Sequence, residues 1–147
     1  MTSLRLLAIG LMALILIPSG AHLFELPAKI GLDREAYFTV QGIYAGWSLF
    51  GAPIIAAIGV NFWLAFLERR NHPSAARWAL VSAALTILSL IVFFGWIFPA
   101  NEATDNWTTQ PEGWELLRRD WEFGHAVNAA LVACALLATA LATVRRS

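Results

Sequence analysis

Four long apolar runs separated by polar segments set the pattern of this chain: Leu4–Ala21, Gly42–Leu67, Trp78–Phe98 and Phe123–Val144. A helix needs roughly 20 apolar residues to cross a bilayer, so each run predicts one membrane span. The four together predict an all-α fold, an integral membrane antiparallel four-helix bundle forming a single domain over residues 1–147, with helical extensions on the outer side. The first run also has the outline of a secretion signal, with Arg5 as charged flank and Ser19 and Ala21 as small residues before a cleavage point. It is read here as a retained span.

Breakers and caps then place the ends. Pro18 removes a backbone bond, which predicts a bend near Leu14–Pro18. Pro27 disfavours helix at Leu26, so the first helix is expected to stop near Glu25. Asp33 suits an N-cap and Glu35 favours the positive end of the helix that follows. That helix is expected to continue through Tyr37, Gln41 and Tyr44 into the second span. Gly42 and Gly46 have the spacing that lets helices approach closely. Pro111 suits the first position of a helix running through Asn128.

Charge orients the bundle. Six arginines (Arg5, Arg69, Arg70, Arg77, Arg145, Arg146) against Glu68 leave +5 on the side of the termini and the second loop. Four bases against nine acids leave −5 on the other side. The positive-inside bias predicts both termini in the cytoplasm and the acidic loops outside, in the cytoplasmic membrane of a bacterium. The net charge of zero gives no reason to expect nucleic acid as a partner. The single cysteine, Cys134, excludes an intrachain disulfide and reads as a small apolar helix residue. His72, beside Pro73, reads as a solvated loop histidine. Ser82, Thr86 and Ser89 form one stripe and read as helix packing. Asn106-Trp107-Thr108 matches a glycosylation pattern.

Two short motifs carry the candidate chemistry. His22-x-x-Glu25 ends the first span and Glu122-x-x-His125 opens the fourth. The spans run in opposite directions, so the reversed order brings both histidines to one depth and both glutamates one turn above them. An i, i+3 spacing points each pair the same way. Two imidazoles and two carboxylates suit a transition metal such as iron, copper or zinc, and Glu-x-x-His is a ligand pair of di-iron bundles. The middle spans offer no further carboxylates at that depth, so a mononuclear site is easier to support. A haem held by His22 and His125 is another option, as is a site with no cofactor. In the purely structural alternative, Glu25–Lys29, Glu115–Arg119 and Arg118–Glu122 are helix-surface salt bridges. The proposal therefore depends on the first and fourth spans being neighbours.

Aromatic residues crowd the same side: Trp47, Trp96, Trp107, Trp114 and Trp121, with Phe24, Tyr37, Tyr44 and Phe123. They read as an interfacial belt or as the wall of a cavity for a flat lipophilic molecule. The stretches HLFELPAKIGLDREAYFTVQGIYAGW, FPANEATDNWT and WELLRRDWEFGHAVN resemble the anthrone-oxygenase-like family of small four-helix membrane proteins. Trp114, Arg118, Trp121, Glu122 and His125 carry the most specific part of the resemblance. It covers nearly the whole chain and implies oxidation of flat polycyclic phenols.

The expected activity is thus that of a membrane oxidoreductase or oxygenase-like enzyme acting on a lipophilic aromatic or quinone-like substrate. His22, Glu25, Glu122 and His125 would bind a metal, while Gln41, Tyr44, Arg118 and Trp121 would orient substrate or ligands. Without a metal, His125 paired with Glu122 would be the general base. The alternative is a small non-enzymatic subunit that packs against a larger membrane complex.

Overall fold

The computed structural model describes residues Met1–Val144. Arg145 and Arg146, expected to anchor the inner end, lie outside the described residues. The helices are α1 (Thr2–Lys29), α2 (Arg34–Gln41), α3 (Gly51–Glu68), α4 (Pro73–Val92), α5 (Phe98–Ala103) and α6 (Trp114–Val144). Among the described residues, four segments are long and apolar enough to cross a membrane: Thr2–Lys29, Trp47–Glu68, Pro73–Ala103 and Trp114–Val144.

The long helices form a square in which α1 packs on α3 and α6, and α4 packs on the same two. The first and fourth spans are therefore neighbours. Side-chain size is distributed for a lipid solvent. Small residues such as Ala8, Ala57, Ala79, Ala83, Ala135 and Ala142 line the interior, whereas Leu6, Ile17, Trp63, Phe66 and Leu137 face outward. Where the surroundings are as apolar as leucine, close helix packing replaces burial of large side chains as the source of association.

Three layers run along the axis. At the end where α1 begins and α6 finishes, Arg5 pairs with Glu68, and both are buried. Next comes a polar network of Asn61, Ser82 and Thr139. Ser82 and Thr139 share a hydrogen bond of 2.7 Å, and Thr139 Oγ1 donates to Asn61 Oδ1 at 3.1 Å. Asn61 Nδ2 donates to the Ala57 carbonyl at 3.0 Å. Above it lies an apolar layer of Met12, Ile15, Ala57, Val132 and Ala135. The hydroxyl stripe of α4 crosses this layer by bonding to its own helix: Thr86 donates to the Ser82 carbonyl and Ser89 to the Thr86 carbonyl. That agrees with packing.

Several expected boundaries are corrected. Helix α1 does not stop near Glu25. It carries Pro27 internally and ends at Lys29, closed by Ile30 N–H on the Leu26 carbonyl at 2.9 Å. Proline disfavours helix at the preceding residue without forbidding it, and the four extra residues carry Lys29 onto the His22 face. Asp33 does cap α2, accepting from Ala36 N–H at 2.9 Å. The chain then fails to continue as one helix into the second span. Gly42–Tyr44 and Trp47–Phe50 are separate 3-10 turns, with Gly46 in the left-handed region at φ 83° between them. Gly42 and Gly46 are exposed, and nothing lies within 4 Å of a Cβ built on either, so they do not mediate close helix approach. Gly46 is there for its backbone.

At the same end, Pro111 precedes a turn and α6 begins at Trp114 rather than at Pro111. His72 lies in the inner loop as expected, half-buried and at the N-cap position of α4. Helix α4 passes through a π-turn at Phe93–Ile97 into α5. Gly124 of α6 faces this turn so closely that a Cβ would sit 2.6 Å from Ile97 Cγ1. A side chain there would hold α6 away from α4.

Candidate functional site

The end of the bundle where α1 finishes gathers residues from four elements. Helix α1 presents His22, Glu25 and Lys29 at positions i, i+3 and i+7, one face of a helix. Helix α6 opposes them with Trp121, Glu122 and His125. Helix α2 adds Tyr37 and Gln41, and the irregular segment after it adds Tyr44 and Trp47.

The two motifs meet through their histidines. The His22 and His125 rings stack with centroids 3.9 Å apart and planes 29° apart. Tyr44, Trp47 and Trp121 surround the His22 ring at 4.6, 5.3 and 4.9 Å. Trp121 also lies edge-on to His125 at 4.3 Å.

The two carboxylates are joined by a lysine. Lys29 Nζ lies 3.1 Å from Glu122 Oε1 and donates to the Tyr44 hydroxyl at 2.7 Å. Tyr44 in turn donates to Glu25. Tyr37 donates to Glu122 Oε1 at 3.0 Å and accepts from Gln41 Nε2 at 2.6 Å. The ammonium also sits over the rings of Tyr44 and Trp121, at 4.4 and 4.5 Å. Lys29 is 3% exposed and Glu122 fully buried. Burying either charge alone would cost several kcal/mol, so each depends on the other. Burial and then the neighbouring Glu122 carboxylate push the Tyr37 phenol above the ordinary tyrosine range, keeping it a hydrogen-bond donor.

Several polar atoms in this region are buried with no hydrogen-bond partner among the described residues: His22 Nδ1, Gln41 Oε1, Glu122 Oε2 and Asn128 Oδ1. A buried polar group left unmatched costs about 1–3 kcal/mol. Water or a polar ligand can satisfy such groups.

The donor arrangement does not fit a metal held by all four motif residues. Imidazole and carboxylate lone pairs lie in the planes of their groups, and stacked rings turn their faces, not their nitrogens, toward each other. Rings 3.9 Å apart also leave no room for a macrocycle between them. Glu122 Oε1 is committed to Lys29 and Tyr37, and Glu25 to Tyr44. Among the described residues no group of three or more His, Cys, Asp or Glu is placed to hold a metal ion.

Other expected contacts are differently placed. Lys29 reaches Glu25 through Tyr44 rather than as a surface pair. Arg118 does not pair with Glu122. Its Nη1 donates to the Leu32 carbonyl at 2.6 Å and its guanidinium lies 4.6 Å from the Trp114 ring centre, tying the loop before α2 to α6. Arg119 pairs with its neighbour Asp120 at 3.7 Å, in solvent. The aromatic residues pack mostly on one another: Tyr37, Phe38, Trp107, Trp114 and Trp121 form a core. Asn101 Oδ1 accepts from both the Trp107 and Trp121 indoles at 2.9 Å, fixing Trp121 beside the histidines. Asp105, Asn106 and Trp107 all have positive φ, which tucks Trp107 into this core.

Sequence reasoning named Lys29 as a surface partner and Tyr37 as an aromatic wall residue but did not join either to Glu122. The i, i+3, i+7 series from His22 was the available signal for Lys29, obscured by reading Pro27 as a helix stop. For Tyr37 it was the i, i+4 spacing to Gln41. Comparison with family models, with curated proteins and with solved structures finds no match to this chain.

Proposed function

We propose that this protein is an integral membrane oxidoreductase of the oxygenase type that acts on a flat, lipophilic aromatic or quinone-like substrate without a metal. The observation that carries this reading is the stacked His22–His125 pair beside a buried Lys29 ammonium, with unmatched polar atoms around it. The resemblance to anthrone-oxygenase-like proteins supports the substrate class.

The chemistry follows from the parts. A histidine accepts a proton from the activated carbon or phenol of the substrate. Lys29 has three N–H donors and spends them on two oxygen partners, so one donor and the positive charge remain for the developing oxyanion. Aromatic walls hold the planar ring system. The electron-rich anion then reacts with dioxygen. When a CH2 becomes a carbonyl, one oxygen atom forms the new C=O and the other leaves as water with the two hydrogens. The pairing of His125 with Glu122 is replaced in this scheme: Glu122 holds Lys29 and Tyr37, and His125 works with His22. The charge bias of the loops supports a reaction at the outer face of the membrane.

The test is oxygen uptake by the purified protein in lipid nanodiscs with anthrone as substrate. His125→Ala should lower kcat by about 100-fold or more without lowering the unfolding midpoint in proportion. Turnover should survive chelation, with bound transition metal below about one tenth of an equivalent. Activity that tracks stoichiometric iron, copper or zinc would replace this reading with the metal one. Absence of both turnover and binding, with a stable association to a second membrane protein, would favour the non-enzymatic subunit.

A further inference from the structure

The walls around the histidine pair are unequal. Trp121 is buried on α6 and pinned through Asn101. Phe93 approaches His125 at 6.3 Å from the π-turn of α4. The remaining side is the Gly42–Phe50 segment, two short 3-10 turns not continuous with a long helix on the site side. Its two 3-10 turns are closed by hydrogen bonds of 3.3 Å (Ala45 to Gly42) and 3.1 Å (Leu49 to Gly46). Ala45 is extended and Gly46 left-handed, so the chain reverses direction there without a helix to stiffen it.

Two side chains of this segment touch the site. Tyr44 is tied to Lys29 and Glu25 by hydrogen bonds. Trp47 is held by ring contacts: His22 at 5.3 Å, Tyr44 at 5.0 Å and Phe50 at 5.9 Å. It is half-buried, whereas His22 behind it is buried and has an unmatched Nδ1. The flanking surface is apolar and open, with Phe24 84% and Leu49 79% exposed. Beside membrane spans, such residues face lipid.

We propose that Gly42–Phe50 is a lateral door through which a flat lipophilic molecule passes from the adjoining leaflet to His22. Trp47 is the ring it displaces and Tyr44 is the latch. The incoming planar molecule replaces the indole against the imidazole, exchanging one aromatic contact for another of similar strength. Opening separates Tyr44 from Lys29 and Glu25, so admission and the release of a lysine donor are one event. Trp47 thus sets both the rate of access and the width of substrate accepted. This inference rests on the reading of the site as one that binds a flat lipophilic ligand.

Stopped-flow absorbance with 1,8-dihydroxyanthraquinone, a coloured planar phenol, tests it in nanodiscs, where binding is read apart from turnover. With wild-type protein the association rate should follow the mole fraction of dye in the lipid rather than its aqueous concentration. Trp47→Ala should speed both association and dissociation by about tenfold, Trp47→Phe by less, and Tyr44→Phe should speed opening while retaining the ring. Dye that binds wild type with His22-dependent affinity, but at rates unchanged in Trp47→Ala and Tyr44→Phe, overturns the door and leaves the site reading standing. Rates that follow aqueous concentration overturn the lateral route. Absence of dye binding to the wild type overturns the door together with the reading beneath it.

Discussion

Asn61, Ser82 and Thr139 in the body of the bundle, and Lys29, Glu122, Tyr37 and the histidines at its end, are both buried polar groups, yet they are finished differently. In the first set the hydroxyls and the amide bond to one another or to helix carbonyls, and none of the three residues has an unmatched buried side-chain atom among the described residues. The second set is charged and incomplete, with His22 Nδ1, Gln41 Oε1 and Glu122 Oε2 unmatched. A closed network fixes helix register. An open one stores unpaid hydrogen-bonding capacity, which a ligand can satisfy.

The largest expected effect breaks the charge balance of the open set. Glu122→Leu strands the Lys29 ammonium in an apolar interior and should destabilise the protein by about 3–5 kcal/mol. The double variant Lys29→Met with Glu122→Leu should recover most of that loss, as read by thermal unfolding in detergent. No recovery would mean that the two residues do not depend on each other. A middle-sized effect belongs to the closed set. Thr139→Val removes the hydroxyl between Ser82 and Asn61 and should cost about 1–3 kcal/mol, because Asn61 Oδ1 loses its donor, while dye binding is unchanged. The smallest effect sharpens the contrast. Gln41→Leu loses one hydrogen bond to Tyr37 but also removes an unmatched oxygen, so stability should move by less than about 0.5 kcal/mol. Dye affinity should fall several-fold. A stability loss as large as that of Thr139→Val would show that the site end is as closed as the middle.

The bundle was legible in the sequence because hydrophobic run length and antiparallel order are properties of the chain itself, whereas which spans are neighbours was set by packing. The mirrored spacing put His22 and His125 at one depth, and the packing of α1 on α6 brought them together. What sits between the carboxylates was not legible. It depended on whether α1 outlasts Pro27, which local propensity argues against and tertiary packing decides. The break at Ala45–Gly46 was hidden for a similar reason: an apolar stretch reads as helix whether or not one glycine within it turns left-handed. Arg118 shows the limit of spacing rules, since its i, i+4 partner Glu122 is taken by a lysine distant in sequence.

The apolar layer of Met12, Ile15, Ala57, Val132 and Ala135 has an electrical meaning. It separates the site from the polar network of Asn61, Ser82 and Thr139, and the hydroxyls that cross it, Thr86 and Ser89, donate to helix carbonyls, which accept hydrogen bonds and have no proton to hand on. The layer is an insulator. Moving one charge through the bilayer against 100 mV takes about 2.3 kcal/mol. In the proposed reaction, protons would be taken up and released on the site's side of this layer, so the chemistry at the histidine pair would neither draw on the membrane voltage nor discharge it.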